Sequence, residues 1–174
     1  MIRDHQTFDI FLHETRRFVT ERAIPREAEI ERLDEVPADL VQALREGGFF
    51  GWSIPENYGG AGLSTEELVL AAFELSQSAV AIRARVGTNT GIGSEGIVVD
   101  GTEEQKQRYL PRMATGEWTG CLAVTEPDAG SEATNVQTSA RRDGDDYILD
   151  GEKCYITNGP IADVFTVTAR TQPG

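Results

Sequence analysis

Apolar side chains recur at intervals of three and four up to Glu117 and at intervals of two after Trp118, so helices are expected first and strands afterwards. Phe8, Phe11, Leu12, Phe18 and Val19 form one helical stripe, interrupted by Thr15, with Pro25 marking its end. Leu40, Val41 and Leu44 mark a shorter helix, closed by Gly47 and Gly48, where the chain can enter the left-handed region. Ile54 to Gly62 has loop composition. Ser64 is placed to cap the next helix, with Glu67 completing a capping box and Leu63 able to pack on Leu68. The stripe Leu68, Ala72, Leu75, Ala79 and Ile82, widened by Val69, Phe73 and Val80, predicts one long helix. Gly87, Gly91, Gly93 and Gly96 follow in a stretch almost free of charge. Such glycine density suits either tight helix packing or close approach of another backbone or a ligand. Thr102-Glu103-Glu104-Gln105 is a second capping box, opening a helix that runs to Pro111 or a little beyond.

Beyond Trp118, Thr119–Thr125 is a strand candidate. Gln137–Arg142 and Tyr147–Asp150 read as a hairpin about Asp143-Gly144, and Lys153–Thr157 and Val164–Arg170 supply two more strands. Helices followed by strands predict an α+β chain: an all-helical domain over 1–117 and a β domain over 118–174. Four or five strands are too few to close easily and leave bare edges, so the second domain is expected to be an incomplete antiparallel, barrel-like unit and the chain the front part of something longer.

Charge narrows the range of partners. With 29 acidic and 16 basic residues, a net charge of −13, the chain lacks the concentrated basic face that nucleic acid or anionic lipid demands. No window approaches the ~20 apolar residues of a membrane span. Met1–Thr20 has neither an apolar signal core nor the acid-poor, arginine-rich character of a transit peptide. Cys121 and Cys154 lack metal-ligand spacing and read as buried thiols in a reducing cytoplasm. His5 and His13 share the first helix, so no Ser-His-acid arrangement can be argued. Gly59-Gly60-Ala61-Gly62 lacks a Walker lysine and reads as a connector.

The sharpest signal is Leu122 to Glu132. A strand delivers Thr125 to its end, Pro127 stops the ladder, and Ala129-Gly130-Ser131 let backbone approach a ligand. Exposed amides and a hydroxyl in such a turn suit an anionic group such as a diphosphate. The segment keeps telling company: Phe50 to Gly60, Gly101-Thr102-Glu103-Glu104-Gln105-Lys106 with Tyr109-Leu110-Pro111, and Asp150 to Gly159. Taken in this order, the four motifs resemble the acyl-CoA dehydrogenase family of flavoproteins. Glu132 stands where that family usually has Asp, Tyr155 where it has Trp, and Asp150 where Asn is common.

The resemblance implies a homodimeric or homotetrameric FAD enzyme that desaturates an acyl-CoA thioester at its α and β carbons. Hydride passes to flavin N5, and the electrons leave to an electron-transferring flavoprotein. It implies that Leu122, Val124 and Thr125 line the flavin ring, that Gly130 and Ser131 hold the diphosphate, that Tyr155 and Ile156 lie against the isoalloxazine, and that Thr157 donates toward N5. Arg85, Thr88 and Ile92, with Ser131, would contact substrate. The family's base is a late Glu, expected beyond Gly174, so no acid here is a candidate; Glu126 is read as structural. An oxidase or flavin monooxygenase of the same superfamily, distinguished by rapid reoxidation with oxygen, is an alternative. So is a short, non-catalytic binding or assembly subunit.

Overall fold

The computed structural model describes residues 4–171. Phe8, Phe18 and the residues between them wind within α1 (His5–Phe18), capped by the Asp4 side chain, which accepts from the amides of Gln6 and Thr7. Pro25 does not stop this helix outright. A π-helical turn over Val19–Ala23 and a 3₁₀ turn over Ile24–Arg26 place the proline where its missing N–H costs little, and α2 (Glu27–Leu33) continues. Next come α3 (Ala38–Glu46), α4 (Thr65–Leu75), α5 (Val80–Gly87), α6 (Glu95–Asp100) and α7 (Glu103–Ala114). Both capping boxes form: Ser64 N donates to Glu67 Oε2 at 2.7 Å, and Thr102 N to Gln105 Oε1 at 2.8 Å.

One core joins Val19, Ile30, Leu40, Leu44, Phe50, Trp52, Leu75, Ile82 and Val86, all buried. Its aromatic centre pairs Phe11 with Trp52 edge-on at 5.5 Å and Phe18 with Phe49 at 4.7 Å. Ile54, Tyr58, Leu110, Met113 and Ala114 form a second cluster where the 54–62 loop meets α7. That loop is more than a connector. A Cβ on Gly60 would lie 1.9 Å from the Ile54 carbonyl oxygen, so only glycine lets the two backbones touch.

The long helix expected over residues 65–82 is two helices. Ser78 donates from both its amide and its hydroxyl to the Leu75 carbonyl, ending α4 before α5 begins. The break reorients the stripe. Val69, Phe73 and Val80, expected to widen the buried face, are 49%, 64% and 81% exposed.

The β part is β1 (Gly120–Ala123), β2 (Ser139–Asp143), β3 (Asp146–Asp150) and β4 (Val164–Val167). Among the described residues these form two two-stranded ladders, linked by a parallel bridge between Ser139 and Arg170, rather than a closed barrel. β2 and β3 make the antiparallel hairpin; Asp143 pairs with Asp146, so the turn is Gly144-Asp145, one residue later than the Asp143-Gly144 expected. β1 and β4, in contrast to the antiparallel expectation, are parallel, with Gly120 opposite Val164 and Ala123 opposite Val167. The intervening chain carries the hairpin across and returns to the starting end of β1, as parallel pairing requires. Residues 153–157 are not a strand, because Tyr155 adopts φ 56° and breaks any ladder.

Candidate functional site

β1 is the axis on which the implied site residues gather. Cys121 and Ala123 point into the interior, while Leu122 and Val124, on the alternate face, are half-buried. Burial raises the Cys121 thiol above its ordinary pKa, as befits an inert packed sulfur. β1 is fastened to the helices by Asn89, whose side chain is fully buried. Asn89 Nδ2 donates to the carbonyls of Met113 (2.8 Å) and Trp118 (2.7 Å), and Asn89 Oδ1 accepts from Gly120 N at 2.8 Å. Gly93 brings the turn after α5 onto the same strand: a Cβ there would stand 2.8 Å from Thr88 O and 2.9 Å from the Gly120 carbonyl carbon. The glycine-rich stretch therefore serves a close approach of backbone.

Arg85 stands at the start of β1, donating to Thr119 Oγ1 at 3.1 Å with its guanidinium carbon 5.3 Å from the centre of the Phe50 ring. Burial, and then the neighbouring charge of Arg45, lower its pKa, whereas Asp163 opposes that shift. Thr88 is buried, and Ile92 is 53% exposed.

At the other end of β1 the chain turns through Glu126–Ala129, closed by the reciprocal backbone bonds Glu126 N to Ala129 O (3.0 Å) and Ala129 N to Glu126 O (3.2 Å). The Glu126 side chain is buried beneath this turn. Its Oε1 accepts from Lys153 Nζ (2.8 Å), Thr138 N (2.9 Å) and Thr138 Oγ1 (2.5 Å), and its Oε2 accepts from Gln137 N (2.6 Å). Lys153 above all, followed by the Thr138 hydroxyl, holds this carboxyl down at about 2. A buried carboxylate that accepts four hydrogen bonds, one of them from an ammonium, and is held at so low a pKa organises the turn and is a weak base. Lys153 Nζ spends its remaining donors on Val124 O (3.0 Å) and Thr168 Oγ1 (3.2 Å).

Gly130 and Ser131 follow on the surface, and a Cβ on Gly130 would meet nothing within 4 Å. Alongside runs the 153–158 loop, tied to the end of β1 by Cys154 N donating to Thr125 O at 3.0 Å. Tyr155 is left-handed and 92% exposed. A non-glycine residue in that region costs about 1–2 kcal/mol, and it persists only where its surroundings hold it. Ile156 is half-buried, and Thr157 is exposed. Among the described residues, the hydroxyls of Thr125, Ser131 and Thr157 have no protein partner, in contrast to those of Thr138 and Thr168.

β1 and the 153–158 loop thus bring together Leu122, Val124, Thr125, Tyr155, Ile156 and Thr157. Arg85, Thr88 and Ile92 flank the strand from the helical side, while Gly130 and Ser131 lie past the turn. Sequence reasoning missed Asn89, Lys153 and Asn158 as organisers of this region. Asn158 carried one usable signal, the Asn-Gly pair that favours a left-handed residue; it has φ 61°. Lys153 had none, since its partners lie 15 to 29 residues away.

Comparison with known proteins gives this geometry a context. Residues 6–117 match the model of the acyl-CoA dehydrogenase N-terminal domain, and 121–174 that of the middle domain. An acyl-CoA dehydrogenase of Bacillus subtilis is 36% identical over 158 residues, 91% of this chain and 42% of that protein. The crystal structure of an acyl-CoA dehydrogenase from Geobacillus kaustophilus superposes with a TM-score of 0.88 at 34% identity, covering 98% of this chain and 45% of that one. One from Bacillus anthracis, complexed with FAD, gives 0.86 at 36% identity, covering 97% of this chain and 29% of that one. The chain spans less than half the length of these relatives. With family models matching nearly all of its length and the organising bonds placed along β1, this chain belongs to the acyl-CoA dehydrogenase family.

Proposed function

We propose that the protein carrying this chain is an FAD-dependent acyl-CoA dehydrogenase, with its helical part over 1–117 and the start of its barrel-like β domain over 118–174. The observation that carries the reading is the loop at 154–158. It holds a nearly fully exposed aromatic ring in a left-handed conformation next to Cys154, whose amide is bonded to Thr125 O past the end of β1, and among the described residues the hydroxyls of Thr125 and Thr157 have no partner. A planar, hydrogen-bonding heterocycle fits such a wall, and the open turn at Gly130-Ser131 suits its anionic tail.

In this reading Leu122, Val124 and Thr125 line the flavin ring, Tyr155 and Ile156 cover it, and Gly130 and Ser131 carry the diphosphate. When bound, FAD supplies the two-electron acceptor for α,β-desaturation of an acyl thioester. Thr157 offers a hydrogen bond to N5, where negative charge accumulates as the flavin is reduced. Arg85, Thr88 and Ile92 form the acyl side. Glu126 is paired with Lys153 and held well below the usual carboxylate range, so the base is assigned to the part of the family's length that this chain does not span. Electron-transferring flavoprotein is the proposed acceptor, and two unpaired thiols favour a reducing compartment such as the cytoplasm.

The test is Thr157→Val in the full-length protein. FAD affinity should stay within about threefold, while anaerobic flavin reduction by acyl-CoA slows by about tenfold or more. Equal reduction rates in wild type and variant would overturn the N5 assignment. Rapid reoxidation of reduced wild-type flavin by oxygen would indicate an oxidase or monooxygenase instead.

A further inference from the structure

The loop that presents Tyr155 and Thr157 is fastened at both ends, and the two fastenings reach different walls of the site. Upstream, Cys154 N binds Thr125 O, and Lys153 Nζ reaches Val124 O, so this end follows β1. Downstream, Asn158 Nδ2 donates to Ala84 O at 2.9 Å and to Thr88 Oγ1 at 2.8 Å, with Arg85 O at 3.4 Å, so this end follows α5. All three acceptors belong to the helix turn that carries the acyl-side residues Arg85 and Thr88.

The chemistry at position 158 is restrictive. The backbone there is left-handed, with φ 61° and ψ 7°, and it leads into the 3₁₀ turn Gly159–Ile161. Glycine would satisfy the backbone but offers no donor. Aspartate tolerates the conformation but would set a carboxylate against the Ala84 carbonyl. Asparagine supplies both the tolerance for αL and an amide with two N–H groups, which fits the two near acceptors. Thr88, buried with its hydroxyl aimed at this amide, is the matching half of the contact.

We propose that Asn158 is a positioning residue that sets the separation between the flavin wall, Tyr155 to Thr157, and the acyl wall, Arg85 and Thr88. The inference rests on the flavin and acyl assignments given under Proposed function. Reaction between two bound groups is more sensitive to their mutual placement than either binding step is. Loss of the Asn158 amide therefore acts on the chemical step while both ligands still bind.

The experiment uses the full-length protein loaded with FAD and the variants Asn158→Gly, Thr88→Val and their double. Asn158→Gly keeps the left-handed backbone and removes the donor, and Thr88→Val keeps the volume and removes an acceptor. Three readouts are taken: FAD stoichiometry with the visible flavin spectrum, the Kd of a non-reactive acyl-CoA thioether from the flavin spectral shift, and the anaerobic flavin-reduction rate at saturating acyl-CoA. Asn158→Gly should retain FAD and bind the thioether within about twofold, yet reduce its flavin about five- to tenfold more slowly. The double variant should lose less than the product of the two single losses, because both remove one contact.

A flavin-reduction rate within twofold of wild type in FAD-loaded Asn158→Gly overturns the proposal, as does a loss that only tracks loss of FAD. Should Asn158→Gly fail to fold, Thr88→Val decides: a wild-type rate there overturns it. Wild-type protein that binds no FAD refutes the functional reading, and the positioning role fails with it. FAD-loaded, reducible wild type beside an indifferent Asn158→Gly refutes the positioning role alone.

Discussion

Replacing Asn89 with alanine tests whether one buried amide joins the helices to β1. The side chain makes three hydrogen bonds of 2.7 to 2.8 Å and has no exposed surface. Its removal strands the Trp118 carbonyl and the Gly120 amide, while the Met113 carbonyl loses one of two donors and keeps the Gly116 amide at 3.1 Å. A net hydrogen bond is worth about 1 kcal/mol, and a buried group left without a partner costs about 1–3 kcal/mol. Water entering the vacated space recovers part of the loss for the Trp118 carbonyl, so a total of about 3–5 kcal/mol is expected. At about 2–4 °C per kcal/mol for a chain of this size, the midpoint should fall by about 6–20 °C. Urea unfolding followed by tryptophan fluorescence measures the free energy, and Trp118 lies beside the altered contact. Asn89→Asp supplies a control: it keeps the acceptor for Gly120 but turns a carboxylate toward two carbonyls, so it should be no more stable than the alanine variant. A loss below about 1 kcal/mol for Asn89→Ala would refute the account, because two groups left without a partner and a third bond lost cannot cost so little.

The Glu126 carboxyl is depressed to about 2 in the fold, below its ordinary carboxylate value. Its stabilising contribution is thus complete above about pH 4.5 and drains away as pH falls through about 2, the range in which the unfolded chain binds a proton that the folded chain refuses. Glu126→Gln should flatten the acid limb of stability against pH, and an unchanged acid limb would contradict the pairing with Lys153. Gly93→Ala forces a methyl into backbone at 2.8 to 3.0 Å and should cost about 1–3 kcal/mol in denaturant unfolding; a neutral effect would show that β1 can yield there. Tyr155→Gly removes an exposed ring and relieves its left-handed strain, so stability should stay within about 1 kcal/mol while FAD affinity falls in a fluorescence titration. Unaltered affinity would remove the ring from the flavin wall.

Local rules account for what the sequence disclosed and long-range pairing for what it did not. Ser64 with Glu67 and Thr102 with Gln105 are contacts three residues apart, so both capping boxes could be read directly. The split between α4 and α5 turned on a competition that periodicity cannot see, in which Ser78 takes the Leu75 carbonyl from the continuing helix. The parallel pairing of β1 with β4 spans 44 residues in register, and alternation of side chains carries no information on strand direction. Lys153–Thr157 had a strand's composition, yet Tyr155 is held left-handed between anchors on β1 and α5, so tertiary bonds outweighed local preference.

The same network explains how so acidic a chain can face polyanionic ligands. Two cations beside the proposed site, Lys153 and Arg85, are turned inward by their contacts. Lys153 divides its three donors among Val124 O, Glu126 and Thr168, and Arg85 lies half-buried over the Phe50 ring with a donor on Thr119. Lys153, with its donors used, is no phosphate clamp. What faces outward is the open turn at Gly130-Ser131 and a set of unpartnered hydroxyls. These neutral donors draw their strength from fixed direction, and backbone held by Glu126 and Lys153 supplies that direction. The buried ion pair and the surface donors are therefore parts of one device: charge is spent inside to hold the turn, and dipoles are left outside to meet the anion. The net charge of −13 need not oppose such binding, because oriented amides and hydroxyls act within a few ångströms, whereas exposed charges farther away than the Debye length of about 8 Å are largely screened at physiological salt.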